Sequence, residues 1–188
     1  MDMSEYALIL LAAGNSIRYK GNKLLDIIDS KPMYRYIFDE VCELNMQKII
    51  VTQYPEIGEY AGEHGFDVVY NPNPERGISG SIKLGVEKAG NAKGYLFTVC
   101  DQPNLKKDTI INIAKMADQT DKGIVAAVVV YEEKEHYANP NFFSKKYRQE
   151  LMGLEGDRGG KQIIKSHLDD VVKYQITAME AEDIDTKT

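Results

Sequence analysis

The chain has 188 residues, of which 43% are hydrophobic and 28% are charged, so it carries enough apolar material for a core and is not expected to be disordered. Its 23 basic and 29 acidic residues give a net charge of −6, which argues against a general nucleic-acid-binding surface. We therefore expect one domain over residues 1–188, in which local cations hold any anionic ligand.

The cysteine content and the hydropathy also exclude several classes of protein. Cys42 and Cys100 belong to no CxxC or His-rich cluster, so the sequence predicts neither a disulfide framework nor a zinc site. No stretch approaches the roughly 20 apolar residues of a membrane span, and the N-terminal residues lack the pattern of a signal peptide. We expect a protein of the reducing cytoplasm with no membrane partner.

The first half of the chain alternates β-branched apolar runs with segments of helical periodicity. In chain order, we predict a strand at 7–11, an extended piece at 25–28, a helix at 33–44, a strand at 48–52, a helix at 57–64 and a strand at 67–70.

The second half continues the alternation and then becomes less regular. The predicted elements are a helix at 79–89, a strand at 94–99, a helix at 108–118, strands at 124–130 and 141–143, helices at 145–151 and 161–168, and a strand at 171–175. Strands that are apolar throughout are buried on both faces, so the sheet is expected to be mostly parallel with right-handed crossovers. The predicted fold is a three-layer α/β/α sandwich of Rossmann-like type.

Small residues follow the first predicted strand at Ala12, Ala13 and Gly14, and two cations, Arg18 and Lys23, come shortly after them. Small residues let backbone N–H groups approach a ligand, and the cations would neutralise a polyphosphate, which together indicate an anion site. The alternative is that Gly14 only makes a turn and the cations are solvated. Tyr19 and Leu24 exclude the common GxxxxGK[ST] phosphate loop, because that pattern requires Gly and Ser or Thr at their positions.

A carboxylate follows another apolar strand, since Asp101 stands where the run 94–99 ends before Pro103. Ligands of open α/β sheets bind outside the carboxyl ends of the strands, so Gly14, Ser79 and Asp101 are expected along one edge. Asp101 is a candidate ligand for Mg2+, which prefers oxygen donors. The alternative is an aspartate that only forms the turn before Pro103.

The stretch LAAGNSIRYKGNKLL resembles the LAAGxSxR…GxxK signature of the nucleotidyltransferases related to the molybdenum-cofactor cytidylyltransferase MocA and its guanylyl relative MobA. The resemblance implies the nucleotide-diphospho transferase fold. It also implies that the nucleotide is bound by a set of residues that includes the first loop: Leu11, Ala12, Ala13, Gly14, Arg18, Lys23, Ser79, Ser81 and Asp101.

The same resemblance implies a metal site with two carboxylates. The segment CDQP resembles the family's magnesium-binding DxP element, and the segment Asp183-Ile184-Asp185-Thr186 resembles its second carboxylate element. Asp101 and Asp185 are the implied metal ligands, with Asp183 as the fallback. An acidic tail without a metal role is the alternative for this segment.

Three further elements match the family in order. The turn GISGSIKLG is similar to an element that contacts base and ribose, which assigns that role to Ser79 and Ser81, whereas helix capping is their simpler explanation. Asn139-Pro140 and Gly156-Asp157 are similar to turns that line the second substrate's pocket, although ordinary surface turns have the same composition.

The implied reaction is the transfer of CMP from CTP to the terminal phosphate of a molybdopterin-type cofactor, with Mg2+ bound and pyrophosphate released. Arg18, Lys23 and Asp101 are the implied catalytic residues. CTP is preferred to GTP because LAAG, not LAGG, follows the first strand, and a molybdenum enzyme is the implied recipient of the product. The alternatives are a GTP-using relative, an isoprenoid-pathway cytidylyltransferase, and a non-catalytic molybdenum-cofactor escort protein.

Overall fold

The computed structural model describes residues 2–14 and 22–184. Within these residues the chain forms a seven-stranded sheet and a separate two-stranded hairpin. The strands are β1 (Tyr6–Ala12), β2 (Ile27–Ile28), β3 (Lys31–Pro32), β4 (Gln47–Thr52), β5 (Asp67–Tyr70), β6 (Gly94–Val99), β7 (Ile124–Tyr131), β8 (Lys134–Ser144) and β9 (Val171–Gln175).

The sheet has the strand order β5-β4-β1-β6-β8-β7-β9, and β2 pairs with β3 in the hairpin. β1 pairs in parallel with β4 and β6, β4 with β5, and β7 with β9. β8 is antiparallel to both of its neighbours, β6 and β7. The prediction of a mostly parallel sheet is therefore confirmed.

Helices cover both faces of this sheet. They are α1 (Met33–Val41), α2 (Pro55–Glu63), α3 (Ile78–Ala89), α4 (Lys107–Gln119), α5 (Arg148–Met152), α6 (Gly160–Ser166) and α7 (Ala178–Ala181). Short 3-10 helices lie at Met3–Glu5, Pro74–Arg76, Lys145–Tyr147 and Leu168–Asp170. None of the helices in the described part of the chain combines the length and the apolar character needed to cross a membrane.

Alternate residues of β1 pack into two different apolar clusters, which makes the fold three-layered. Leu8 and Leu10 belong to the cluster that contains side chains of α1, α2 and α4, whereas Ala7 and Ile9 belong to the cluster that contains side chains of α3, α5 and α6. Successive side chains of a strand point to opposite faces, so β1 contributes to both layers and is buried from Tyr6 to Leu10. The predicted three-layer sandwich is confirmed.

Three elements differ most from the sequence-based prediction. β8 begins at Lys134, well before the predicted strand at 141–143, because its exposed first residues pair with β7 in a hairpin whose turn residues Glu132 and Glu133 have positive φ. Exposed polar residues carry no hydrophobic alternation, so this extension was not predictable from periodicity. The predicted helix at 145–151 is a 3-10 turn followed by α5, and α7 was not predicted.

Close packing of α3 against β1 requires a glycine at position 85. A Cβ atom at Gly85 would lie 2.5 Å from Cγ2 of Ile9, which is fully buried. We expect Gly85→Ala to lower the free energy of unfolding by about 1–3 kcal/mol, the usual cost of overpacking a core. Urea unfolding followed by circular dichroism measures this change.

The matched control is Gly62→Ala in α2, where the new Cβ would lie 3.9 Å from Cγ2 of Val68, an ordinary contact. This variant is expected to keep or gain stability, by up to about 1 kcal/mol, because alanine favours helices over glycine. Equal stability of Gly85→Ala and the wild type would contradict the close contact between α3 and β1.

Candidate functional site

The carboxyl ends of β1 and β6 bring two predicted site segments together. Leu11 of β1 is in register with Val99 of β6 in a parallel pair. The residues that follow, Ala13-Gly14 on one strand and Cys100-Asp101 on the other, therefore leave the sheet side by side. This places the predicted small-residue loop and the predicted carboxylate at one edge, as expected for an open α/β sheet.

Side chains at the end of β4 hold the turn that follows β1. Thr52 Oγ1 donates to the carbonyl of Ala12 at 3.2 Å, and Gln53 Nε2 donates to the carbonyl of Ala13 at 3.0 Å. The Tyr54 hydroxyl donates to the carbonyl of Gly14 at 2.8 Å. Three successive carbonyls of the turn are thus satisfied by the neighbouring strand end, which fixes the path of the backbone.

The sequence analysis did not identify Thr52, Gln53 and Tyr54 as part of the site. The available signal was their position: they follow the strand that neighbours β1 in the sheet. Polar side chains at the carboxyl end of an adjacent parallel strand reach the same edge.

Lys23 and Asp101 form an ion pair at this edge. Lys23 Nζ lies 2.6 Å from Asp101 Oδ2, and the two side chains are only 13% and 20% exposed. Asp101 Oδ1 is buried and has no hydrogen-bond partner among the described residues. A buried carboxylate oxygen without a partner is costly, and a bound cation or donor at this position would relieve that cost.

The C-terminal segment is held against the Asp101 turn. Gln102 Nε2 donates to the carbonyl of Ala181 at 3.2 Å, and the backbone N–H of Ile184 donates to the carbonyl of Asp101 at 3.1 Å. The hydroxyl of Thr109 donates to Glu180 Oε1 at 2.5 Å, which anchors α7 to α4. Asp183 therefore lies one residue from a direct backbone contact with Asp101.

Arg18 and Asp185 lie outside the described residues, so their predicted roles stay predictions. Among residues 2–14 and 22–184, no cluster of three or more His, Cys, Asp or Glu side chains is placed to bind a metal ion. Of the two predicted metal ligands, Asp101 is the one that the structure describes.

Cys100 does not have the environment of a reactive thiol. It is buried, and burial, together with the neighbouring Asp101 carboxylate, raises the pKa of the thiol well above its ordinary value. The thiol is therefore protonated at neutral pH, and the described residues around it do not give it the environment of a nucleophile.

Ser79 and Ser81 lie in the first turn of α3. The N-cap of this helix is Gly77 and no side chain caps it, so the alternative explanation of these serines as helix caps does not hold. Ser81 Oγ accepts a hydrogen bond of 3.0 Å from Asn71 Nδ2, and the backbone N–H of Ser79 donates to the carbonyl of Gly156 at 3.2 Å. Both serine side chains are buried.

The loop that contains Gly156 and Asp157 packs on the start of α3. Gly77 has φ of +83° and ψ of −178°, and a Cβ atom there would lie 2.5 Å from the carbonyl oxygen of Gly156 and from Asp157 Oδ1. Gly156 itself has a positive φ of 61°. The two predicted elements 77–85 and 156–160 are therefore in direct contact, although they are far apart in the sequence.

A cavity of about 300 Å3 opens between β6, β8, α3 and this loop. Of the residues predicted to line the second substrate's pocket, Asn139 and Asp157 line the cavity, as does Leu11 from the predicted nucleotide set. Pro140 and Gly156 are their chain neighbours and do not line it; the Asn139–Pro140 peptide bond is cis. The prediction of a turn at Asn139-Pro140 is wrong, because these residues lie within β8. Both late elements nevertheless reach one pocket next to the strand ends.

A mostly parallel sheet covered on both faces, with an ion pair and a small-residue turn at its strand ends, defines an α/β protein whose candidate ligand site lies at that edge. Residues 8–171 match the model of the MobA-like NTP transferase domain, and the chain belongs to this family. Comparison with curated proteins gave no match.

Solved structures share this fold. The crystal structure of Rv0371c from Mycobacterium tuberculosis H37Rv has a TM-score of 0.81 and 22% identity, with 99% of this chain and 95% of that chain covered. The complex of Rv0371c with manganese has a TM-score of 0.76 and 22% identity, with 96% and 93% covered. A CMP:2-keto-3-deoxy-manno-octonic acid synthetase complexed with CTP has a TM-score of 0.76 and 11% identity, with 96% and 93% covered.

The contact between Gly77 and the 156–157 loop can be tested by Gly77→Ala. The backbone conformation at Gly77 is one that essentially only glycine adopts, so alanine adds strain of about 1–3 kcal/mol and also displaces the loop. We expect a loss of unfolding free energy of about 2 kcal/mol or more, and faster cleavage by trypsin after Arg158.

Gly65→Ala is the control for the positive φ alone, because Gly65 has a φ of +76° and no atom within 4 Å of the added Cβ. It is expected to cost about 1 kcal/mol and to leave cleavage after Arg158 unchanged. The same stability and cleavage rate in both variants would show that the loop does not depend on Gly77.

Proposed function

We propose that this member of the MobA-like family transfers CMP from CTP to the terminal phosphate of a molybdopterin-type cofactor and releases pyrophosphate. The observation that carries the proposal is the Lys23–Asp101 pair at the end of β6. Asp101 Oδ1 is buried beside the Ala13-Gly14 turn and has no partner among residues 2–14 and 22–184. A cation and a carboxylate at a shared strand edge suit a reaction that moves charged phosphoryl groups.

The first loop is proposed to hold the triphosphate. Backbone N–H groups of the Ala13-Gly14 turn would approach the phosphates closely, and Arg18 and Lys23 would neutralise the β- and γ-phosphate oxygens and the departing pyrophosphate. Lys23 Nζ contacts Asp101 in the structure, so triphosphate oxygens would compete with Asp101 for this ammonium group. Binding of the triphosphate would therefore draw Lys23 away from Asp101 and leave the Asp101 carboxylate available to a cation.

Asp101 is proposed to hold Mg2+ together with Asp185, or with Asp183 as the fallback. The buried Oδ1 oxygen of Asp101 fits this role, because a hard cation takes carboxylate oxygens and this one lacks a partner among the described residues. The hydrogen bond from Ile184 N–H to the Asp101 carbonyl supports the fallback ligand, because it holds the segment that contains Asp183 at the same turn. When bound, the metal supplies charge neutralisation at the α-phosphate.

The chain's own residues would perform the transfer by alignment rather than by covalent catalysis. A phosphate oxygen of the acceptor forms a bond to the α-phosphorus of CTP, while the bond from that phosphorus to the bridging oxygen of pyrophosphate breaks. Lys23 and Arg18 would stabilise the negative charge that moves onto the leaving group. Asp101 would hold the cation at the strand edge where the triphosphate is proposed to bind.

The choice of CTP and of the acceptor is part of the proposal and rests on the resemblance of the first loop to the cytidylyl branch. Ser81, which bonds Asn71, and Ser79 would contact the base or the ribose. The reaction would take place in the cytoplasm, with a molybdenum enzyme as recipient of the product.

The direct test is pyrophosphate release from CTP, GTP or ATP by the full chain with Mg2+ and molybdenum cofactor. We expect release with CTP that is at least about tenfold faster than with GTP, a difference that corresponds to about 1.4 kcal/mol in transition-state binding. Tight nucleotide binding without release from any nucleotide would favour the escort-protein alternative.

The Asp101→Asn variant tests the proposed metal ligand. The substitution keeps the size of the side chain but removes its charge, so turnover is expected to fall at least about a hundredfold, as it does when a preorganised electrostatic group is lost. The melting temperature should stay within a few degrees of the wild type. The control is Asp121→Asn on the exposed surface, which should keep full activity. Near wild-type turnover of Asp101→Asn would contradict the assignment of Asp101 as a metal ligand.

A further inference from the structure

The last described residues of the chain, 176–184, pass the turn that contains Asp101. They leave the sheet at Ile176, whose N–H donates to the carbonyl of Val128 at 2.9 Å, and they include the four-residue helix α7. A helix of this length is not stable by itself, because fixing the backbone of its first turn costs more free energy than the hydrogen bond contributes. The position of this segment therefore depends on its contacts with the rest of the chain.

Hydrogen bonds on both sides of Asp183 hold the segment against that turn. Gln102 Nε2 donates to the carbonyl of Ala181 at 3.2 Å, two residues before Asp183. The N–H of Ile184, the residue after Asp183, donates to the carbonyl of Asp101 at 3.1 Å. Ala181 and Ile184 also pack against the apolar cluster on the side of the sheet that α1, α2 and α4 cover. Of these two hydrogen bonds, the one from Gln102 is made by a side chain and can be removed by substitution.

Stability alone does not explain the amide of Gln102. The residue is 2% exposed, and its Oε1 is buried without a partner among residues 2–14 and 22–184. A flipped amide would place Oε1 against the Ala181 carbonyl, so the orientation of the amide is defined. An oxygen that loses its bond to water without a replacement costs at least as much free energy as one neutral hydrogen bond contributes. The bond to the C-terminal segment is therefore the feature of this side chain that needs a functional explanation.

The chain neighbour of Gln102 is the proposed metal ligand. Asp101 Oδ1 is also buried and unpaired within the described residues, and Asp183 is exposed, so an ion can reach its carboxylate from solvent. Groups that orient metal ligands strongly affect metal affinity, because ligands from distant parts of the chain must be held at the right distance. The segment is bonded to two adjacent residues of one turn, so its position is fixed relative to the carboxylate of that turn.

We propose that Gln102 is a positioning residue of the metal site. Its side chain holds residues 181–184 against the Asp101 turn, so that a carboxylate of the C-terminal segment and Asp101 bind the same divalent cation. Gln102 acts through this segment and contacts neither the cation nor the phosphates. This inference rests on the proposed function, and in particular on Asp101 as a metal ligand.

The first test is the affinity of the full-length Gln102→Met variant for Mn2+, measured by the relaxation of water protons without and with CTP. Methionine has nearly the length of glutamine but cannot donate to the Ala181 carbonyl. We expect Mn2+ to bind about tenfold more weakly, the lower end of the effect of losing a group that orients metal ligands. The melting temperature should stay within about 4 °C of the wild type, because the unpaired Oε1 is removed together with the hydrogen bond.

The second test follows the position of the segment without any metal. Glutamyl endopeptidase cleaves after Glu182 and releases residues 183–188, a loss that mass spectrometry measures. We expect this cleavage to be about fivefold faster in metal-free Gln102→Met than in the metal-free wild type. One hydrogen bond has an effect of this size on the equilibrium by which a segment opens locally.

The matched control is Gln47→Met. Gln47 begins β4, and its Nε2 donates to Asp67 Oδ2 and to the carbonyl of Lys88. β4 and β6 both run parallel to β1, so Gln47 lies at the opposite end of the sheet from Gln102. This variant also loses the hydrogen bonds of a glutamine, and it should keep the wild-type affinity for Mn2+ and the wild-type rate of cleavage after Glu182.

The inference is overturned if Gln102→Met binds Mn2+ as tightly as the wild type while Asp101→Asn loses the binding. It is also overturned if cleavage after Glu182 is unchanged in Gln102→Met, since the segment would then be held without this bond. Wild-type affinity for Mn2+ in Asp101→Asn, or no binding to the wild type at millimolar Mn2+, would reject the proposed metal site and this inference with it. Both expected effects of Gln102→Met, without pyrophosphate release from any nucleotide, would keep the positioning role and reject the reaction.

Discussion

The pairing of β1 with β4 on one side and β6 on the other is the constraint on which the rest of the structure depends. It buries β1 on both faces, so its alternate side chains join the two helical layers into one fold. It also fixes where three strands end. The polar groups of Thr52, Gln53 and Tyr54 reach the Ala12–Gly14 carbonyls for this reason, and Asp101 comes to lie beside the same turn.

At this edge of the sheet, only one of the two carboxylate oxygens of Asp101 has a partner among the described residues. One oxygen of Asp101 is paired with Lys23, whereas the other is buried without a partner among the described residues. In the pocket between β6 and β8, Asn141 Oδ1 is a neutral oxygen that is also buried without a partner among the described residues. Enzymes that transfer phosphoryl groups use such preorganised polar groups to stabilise the charge of the transition state. Water could also stabilise that charge, but its molecules would first have to reorient.

Much of the fold was predictable because most of its strands and helices are indicated by the residue pattern within the element itself. The predicted bounds of the strands at 67–70, 94–99 and 171–175 agree with the structure. A run of apolar and β-branched residues predicts a strand even when the strands that pair with it are unknown. β8 was predicted too short because its polar half becomes a strand only by pairing with β7. The brief helix α7 was missed although Thr177 and Glu180 form a capping box, which is a local signal for the start of a helix. Its four residues are too few to show helical periodicity, and Thr109 and Gln102 hold it from distant points of the sequence.

By itself, the sequence determined the class of fold, the family and the types of residue offered for chemistry: a small-residue turn, cations, an aspartate after a buried strand and two late turns. Only the tertiary structure decided which of these groups meet. Lys23 contacts Asp101, the 156–157 loop packs on Gly77, and Asn139 shares a pocket with Thr98 and Asn141. The physical reason is that strand order and register, which arise from long-range packing, set these distances, whereas spacing along the chain does not.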